Sequence, residues 1–150
     1  NAYEARLFGH VWSFNPEFLW TNYGDTNAPG PHTINIPPGS VAFFAFIAGT
    51  TTGLPAGLYG HAGPPQIGWM TLPGGIVDLN VLQMMPVWEG VLVPNGYGIA
   101  SVANSPAGGS IQITPTTPPM GLSVTYQGYV VDPTTPAGYR LTAAVHVTRQ

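Results

Sequence analysis

The stretch that decides the fold lies near the end of the chain: "GLSVTYQGYVVDPTTPAGYRLTAAVHVTR", Gly121 to Arg149. Its first half sets Leu122, Val124, Tyr126, Gly128 and Val130 at every second position. Its second half does the same with Tyr139, Leu141, Ala143, Val145 and Val147, leaving Arg140, Thr142, His146 and Thr148 between them. A strand sends alternate side chains to opposite faces, so this alternation marks two strands, each with one buried face. The Pro/Thr segment between them supplies the turn, and Asp132, just before Pro133, is placed to cap its backbone. Residues 122–131 are expected to pair with 139–148.

Working outward, the rest of the chain has a similar texture. Val41 to Ala48 is continuously apolar, which suits a central strand covered on both faces. Thr33 to Ile36 is a short strand ahead of the Pro37-Pro38-Gly39 turn. "GTTTGLPAGLYGHAGPP" reads as loop, and "QIGWMTL" and "IVDLNVLQMM" as two strands about Pro73-Gly74-Gly75. The second of these also permits a helix through Ile76, Leu79 and Leu82, although no helix cap supports it. Val87 to Val93 and Tyr97 to Ala103 flank the turn signal Pro94-Asn95-Gly96, and "SIQIT" follows. The expectation is an all-β fold, an antiparallel β-sandwich of about eight to ten short strands. Residues 1–32 read as an extended N-terminal arm, with aromatic bulk in its first part and a proline-bearing linker after it, and residues 33–150 as the sandwich domain.

Composition narrows the class of protein. Lys plus Arg number 3 and Asp plus Glu 6, so nine side chains, 6% of the 150 residues, carry formal charge. Ordinary soluble domains carry roughly 25%. The basic residues are Arg6, Arg140 and Arg149, and there is no lysine. A net charge of −3 without a basic patch argues against nucleic acid and against a polybasic membrane-surface site. The longest apolar run, "VAFFAFIAG", is too short to span a bilayer, so no membrane insertion is expected. Cysteine is absent, which removes disulfides and thiolate metal sites. Twenty Gly and 17 Pro punctuate a chain that is 44% apolar or aromatic, a pattern of many turns rather than of disorder. The chain begins at Asn1, which suggests a removed leader or a trimmed start.

The chemistry-bearing residues are dispersed. His10, His32, His61 and His146 lack the short spacings that bring two imidazoles to one metal. Of the carboxylates, Asp78 and Glu89 are conceivable as a glycosidase pair, but nothing in their spacing favours it. No nucleophile elbow, phosphate loop or zincin motif occurs. No catalytic, cofactor-binding or metal residue is assigned, and no enzyme activity or cofactor is expected. Gln127 interrupts an apolar strand, and a buried amide there must find partners, so it reads as an anchor before it reads as a ligand group. Thr51, Thr116, Thr117, Thr134 and Thr135 stand beside Pro and Gly. Composition leaves two readings of them open, O-glycan sites and plain turn residues.

Residues 33–149 resemble a small β-rich domain at the C-terminus of uncharacterised secreted proteins of planctomycete-like bacteria. The resemblance runs in order through "AFFAFIAG", "LPAGLYG", "GGSIQIT" and the ending "MGLSVTYQGYVVDPTTPAGYRLTAAVHV". It falls on Gly121, Leu122, Gln127, Asp132, Pro133, Leu141 and Thr142. That family often carries cysteines that are absent here, and residues 1–32 have no counterpart in it. The resemblance implies an exported β-sandwich and supplies no activity.

A surface so poor in charge needs cover, by copies of the chain, by glycans or by both. The expected function is therefore that of an exported structural protein, secreted or at the cell surface, assembling as a homo-oligomer or homopolymer into a filament, fibre or surface layer. Phe8, Trp12, Phe14, Phe18 and Trp20 of the arm are its expected subunit interface. The alternative is a carbohydrate-binding or adhesive module that uses Trp and Tyr to stack on glycans.

Overall fold

The computed structural model describes residues 6–13, 19–23, 31–36, 40–49, 53–94, 109–113 and 118–150. Among these the fold is all-β, with thirteen strands and no helix. Strands β1 (Arg6–Ser13), β2 (Leu19–Tyr23), β4 (Ser40–Gly49), β9 (Val93–Pro94) and β10 (Gly109–Ile113) make a five-stranded sheet in the order β2-β1-β4-β10-β9. A second sheet runs β3-β13-β11-β5-β8, from β3 (His32–Ile36), β13 (Val145–Arg149), β11 (Ser123–Val131), β5 (Pro55–Ala62) and β8 (Met85–Val91). Short β12 (Tyr139–Leu141) also pairs with β11, and β6 (Met70–Leu72) with β7 (Gly75–Val77) forms a separate hairpin. β11 lies against β4 and β1, so the two large sheets meet there.

The "VAFFAFIAG" run sits where a doubly covered strand belongs, in the middle of its sheet between β1 and β10. β1 pairs along its length with β4 of the same chain, and β2 pairs with β1. One difference from the expectation is that β3 joins β13 in parallel, while the neighbours of β11 are antiparallel. The strand expected from Tyr97 to Ala103 lies outside the described residues.

The core is the inward face of the second sheet. Ile34 and Ile36 from β3, Val145 and Val147 from β13, Tyr126 and Val130 from β11, and Ala56 and Leu58 from β5 pack together, with Leu92, Trp88 and Val124 against them. Burial of the Tyr126 phenol pushes its pKa up to about 12.

Two features of this sheet depart from simple alternation. The glycines of β5 give it the composition of a loop, yet it is a central strand. Gly57 is paired with Tyr129 and Gly60 with Tyr126. A Cβ at Gly57 would lie 2.5 Å from the Tyr129 ring, and one at Gly60 would lie 3.0 Å from the Tyr126 ring. The strand is glycine-rich because tyrosines from β11 occupy the space its side chains would need.

The last hairpin pairs as expected but contains a break. Tyr129 faces Leu141 and Val131 faces Tyr139, whereas Tyr126 faces Val145 and Ser123 faces Thr148. Between these runs Gln127 and Gly128 stand opposite Thr142, Ala143 and Ala144, one residue too many. Such an excess residue exchanges the faces of the strand. Val145 and Val147 therefore enter the core, while Tyr139 and Leu141 turn to the opposite side of the sheet beside Tyr129. The unbroken alternation from Tyr139 to Val147 is corrected accordingly.

Candidate functional site

The side of the second sheet that faces away from the core carries the polar interruptions of its strands: Tyr59 and His61 on β5, and Thr125, Gln127 and Tyr129 on β11. Over them folds the excursion from Gly63 to Met84, which contains β6 and β7. "IVDLNVLQMM" is thus strand at Ile76 and Val77, within β7, and again at Met85, where β8 begins, with turn and irregular backbone between them.

Side-chain hydrogen bonds hold this excursion in place. Gln127 is 4% exposed. Its Oε1 accepts from the Asp78 N–H at 2.9 Å, and its Nε2 donates to the carbonyls of Ile76 at 2.8 Å and Thr142 at 2.7 Å. Both ends of the amide are satisfied, and the residue ties the β7 end to the strand break. Thr142 completes the break: its Oγ1 accepts from the Gly128 N–H at 2.9 Å, and its own N–H donates to the Gly128 carbonyl at 2.8 Å.

His61 fastens the other end. Its Nδ1 accepts from the Asn80 N–H at 3.2 Å, so Nε2 carries the proton and donates to the Pro64 carbonyl at 2.7 Å. Thr125 Oγ1 donates to the Gly63 carbonyl at 2.8 Å, and Asp78 Oδ1 accepts from the Gly68 N–H at 2.7 Å.

Between the excursion and the sheet lies an open-mouthed cavity of about 390 Å³. Tyr59, Met70, Leu79, Met84, Tyr129 and Leu141 line it, with Gln127 and Gly128 on the β11 side. The Tyr59 hydroxyl donates to the Glu89 carboxylate. That bond, then burial, then the negative charge of Glu89 push the Tyr59 pKa up to about 12. The Tyr59 and Tyr129 rings stand 6.3 Å apart.

The two carboxylates weighed as a glycosidase pair have separate structural partners. Asp78 is buried and bound to Gly68, and Glu89 is exposed and bound to Tyr59. Among the described residues no group of three or more His, Cys, Asp or Glu could hold a metal ion. No helix among them is long and apolar enough to cross a membrane.

Asp132 is 2% exposed and organises the turn after β11. Its Oδ1 accepts from the Thr134 N–H at 3.0 Å and from the Thr134 hydroxyl at 2.5 Å, and its Oδ2 pairs with Arg140 Nε at 3.1 Å. Burial alone would raise its pKa. The bonds from Thr134 and Arg140 outweigh burial and hold it below the ordinary carboxylate value. The Thr135 hydroxyl donates to the Asp132 carbonyl at 2.9 Å. Thr134 and Thr135 therefore use their hydroxyls inside the turn, whereas Thr51, Thr116 and Thr117 lie outside the described residues.

Of the five aromatic residues expected at a subunit interface, Phe14 and Phe18 lie outside the described residues. Phe8, Trp12 and Trp20 are brought together by register: Phe8 and Trp12 are four apart on β1, and Trp20 pairs with His10 between them. All three positions fall on one side of the five-stranded sheet. Trp88 packs on the core of the other sheet, and Trp69 is half-buried. The cavity itself had no signal in the sequence beyond the apolar residues of 70–84, because its walls come from segments far apart in the chain.

Compared with protein-family models, curated proteins and solved structures, the chain matches none.

Proposed function

We propose that the chain is a structural protein that assembles with copies of itself through its charge-poor surface, outside or on the surface of the cell that makes it. The observation that carries this reading is the exposed apolar area. Ile67, Ile76, Leu82, Met85, Met120 and Leu122 are each more than half exposed, and Leu82 reaches 85%. Monomers rarely leave large contiguous apolar patches in water, and such patches mark interaction sites. Four of the six lie between residues 67 and 85, in the excursion and the start of β8.

Two further observations support a second copy as the partner. Among the described residues β8 ends its sheet, with Met85, Val87 and Val91 exposed along it. An apolar edge strand is a template for pairing with another chain. In the five-stranded sheet, register puts Phe8, Trp12, Phe44 and Phe46 on one side, and Leu7, Val11, Phe43 and Ile47 on the other. A sheet apolar on both sides calls for cover on both. The second large sheet supplies one, and a neighbouring copy is the proposed other.

This reading moves part of the interface from the N-terminal segment to the excursion and β8. The resemblance to the planctomycete-type secreted domain supports the extracellular placement. Measuring the mass of the pure chain against concentration tests the proposal. Assembly that is weakened by Leu82→Glu and Met85→Glu supports it.

A further inference from the structure

We propose that the cavity beneath the β6–β7 hairpin is a binding site for a neutral, chain-like aliphatic molecule of about ten carbons. The inference does not depend on self-assembly. At about 390 Å³ the cavity falls within the usual span of ligand sites, roughly 300–1,000 Å³. Taking roughly 30 Å³ for each water-sized group, it accepts about a dozen non-hydrogen atoms.

The lining chooses the chemistry. Met70, Leu79, Met84 and Leu141 present hydrocarbon and thioether surface, and methionine adapts its shape to irregular apolar guests. Two of the polar groups at the wall are already engaged. The Gln127 amide binds Asp78, Ile76 and Thr142, and the Tyr59 hydroxyl binds Glu89. A sugar needs convergent free donors and acceptors, and this wall offers it little. Charge also discriminates among apolar guests. The carboxylate bonded to the wall is that of Glu89, through the Tyr59 hydroxyl. A ligand carrying its own carboxylate would meet repulsion from this like charge, whereas an alcohol would not.

Decanol, decanoate and maltose are the probes, titrated at neutral pH into the full chain by calorimetry, with thermal unfolding in parallel. Decanol should saturate at one molecule per chain and raise the melting temperature. Decanoate should bind roughly tenfold more weakly than decanol. Glu89→Gln should close most of that gap. Val81→Phe fills the cavity from one wall and Met84→Trp from the adjoining turn. Either variant, with an unchanged circular dichroism spectrum, should weaken decanol by roughly tenfold or more. The inference is overturned by any of four results: decanol uptake without saturation, unchanged affinity in both folded variants, decanoate binding as well as decanol, or tighter binding of maltose. It is overturned equally if decanol affinity falls as protein concentration rises, because a second copy then fills the cavity.

Discussion

Gln127 concentrates the most structure in one side chain. Its three hydrogen bonds join β11, the residues after β7 and the strand break at Thr142. Gln127→Met keeps the volume and removes the bonds, leaving one N–H and two carbonyls to find new partners. An orphaned buried polar group costs about 1–3 kcal/mol, and the three are not additive, so the expected loss is about 3–5 kcal/mol by urea unfolding. A loss under about 1 kcal/mol would mean that the excursion is held chiefly by its apolar contacts. Asp132 carries the pH dependence. Its carboxyl is held below the ordinary value of about 3.9, so it stabilises the fold fully above that pH and loses this contribution as pH falls through the folded value. Burial, and then the nearby His61, hold the His146 pKa below its ordinary value of about 6.5. Its neutral form therefore favours the fold above that pH, and protonation on acidification works against it. Both effects predict lower stability in acid. Asp132→Asn should cost roughly 1.5–3 kcal/mol near neutrality and flatten the stability profile below about pH 4. An unchanged acid limb in that variant would assign the dependence to other groups.

At the scale of the element, β5 and the last hairpin show what a sequence can and cannot reveal. The period-two pattern of β11 was legible because Val124, Tyr126 and Val130 do share the core face. β5 was not legible, since "PAGLYGHA" has the composition of a turn. Its strand character resides in its partner, whose tyrosines cover Gly57 and Gly60. Gly57→Val should therefore destabilise by about 1–3 kcal/mol through overpacking, and Tyr129→Ala in the same chain should recover part of that loss. Equal losses with and without the tyrosine would show that the glycine is needed for another reason. The break at 142–144 was hidden for a different cause. Tyr139, Leu141, Ala143, Val145 and Val147 are all apolar at alternate positions, so the pattern continues across a change of face. It can do so because the outward side is also apolar there, where Tyr139 and Leu141 line the cavity. Gln127 was legible as a buried polar group that must be satisfied. The excursion that satisfies it was not, because its bonds are made largely through its backbone.

For the whole molecule, the low charge count and the exposed apolar residues describe the same property. Nine formal charges on 150 residues leave little to keep copies apart, and Ile67, Leu82 and Met85 give them surface to share. The chain is all-β with two large sheets; among the described residues β8 ends one of them with apolar side chains exposed, and register places apolar positions on both sides of the other. Burying one large apolar side chain contributes roughly 1.5–3 kcal/mol, so a handful of such contacts suffices for association at ordinary concentrations. Sedimentation velocity of the full chain across a wide concentration range, beside the double variant Leu82→Glu/Met85→Glu, tests self-association most directly. The account predicts species heavier than the 15.8 kDa chain that grow with concentration and recede in the double variant. A single 15.8 kDa species at every concentration would contradict it.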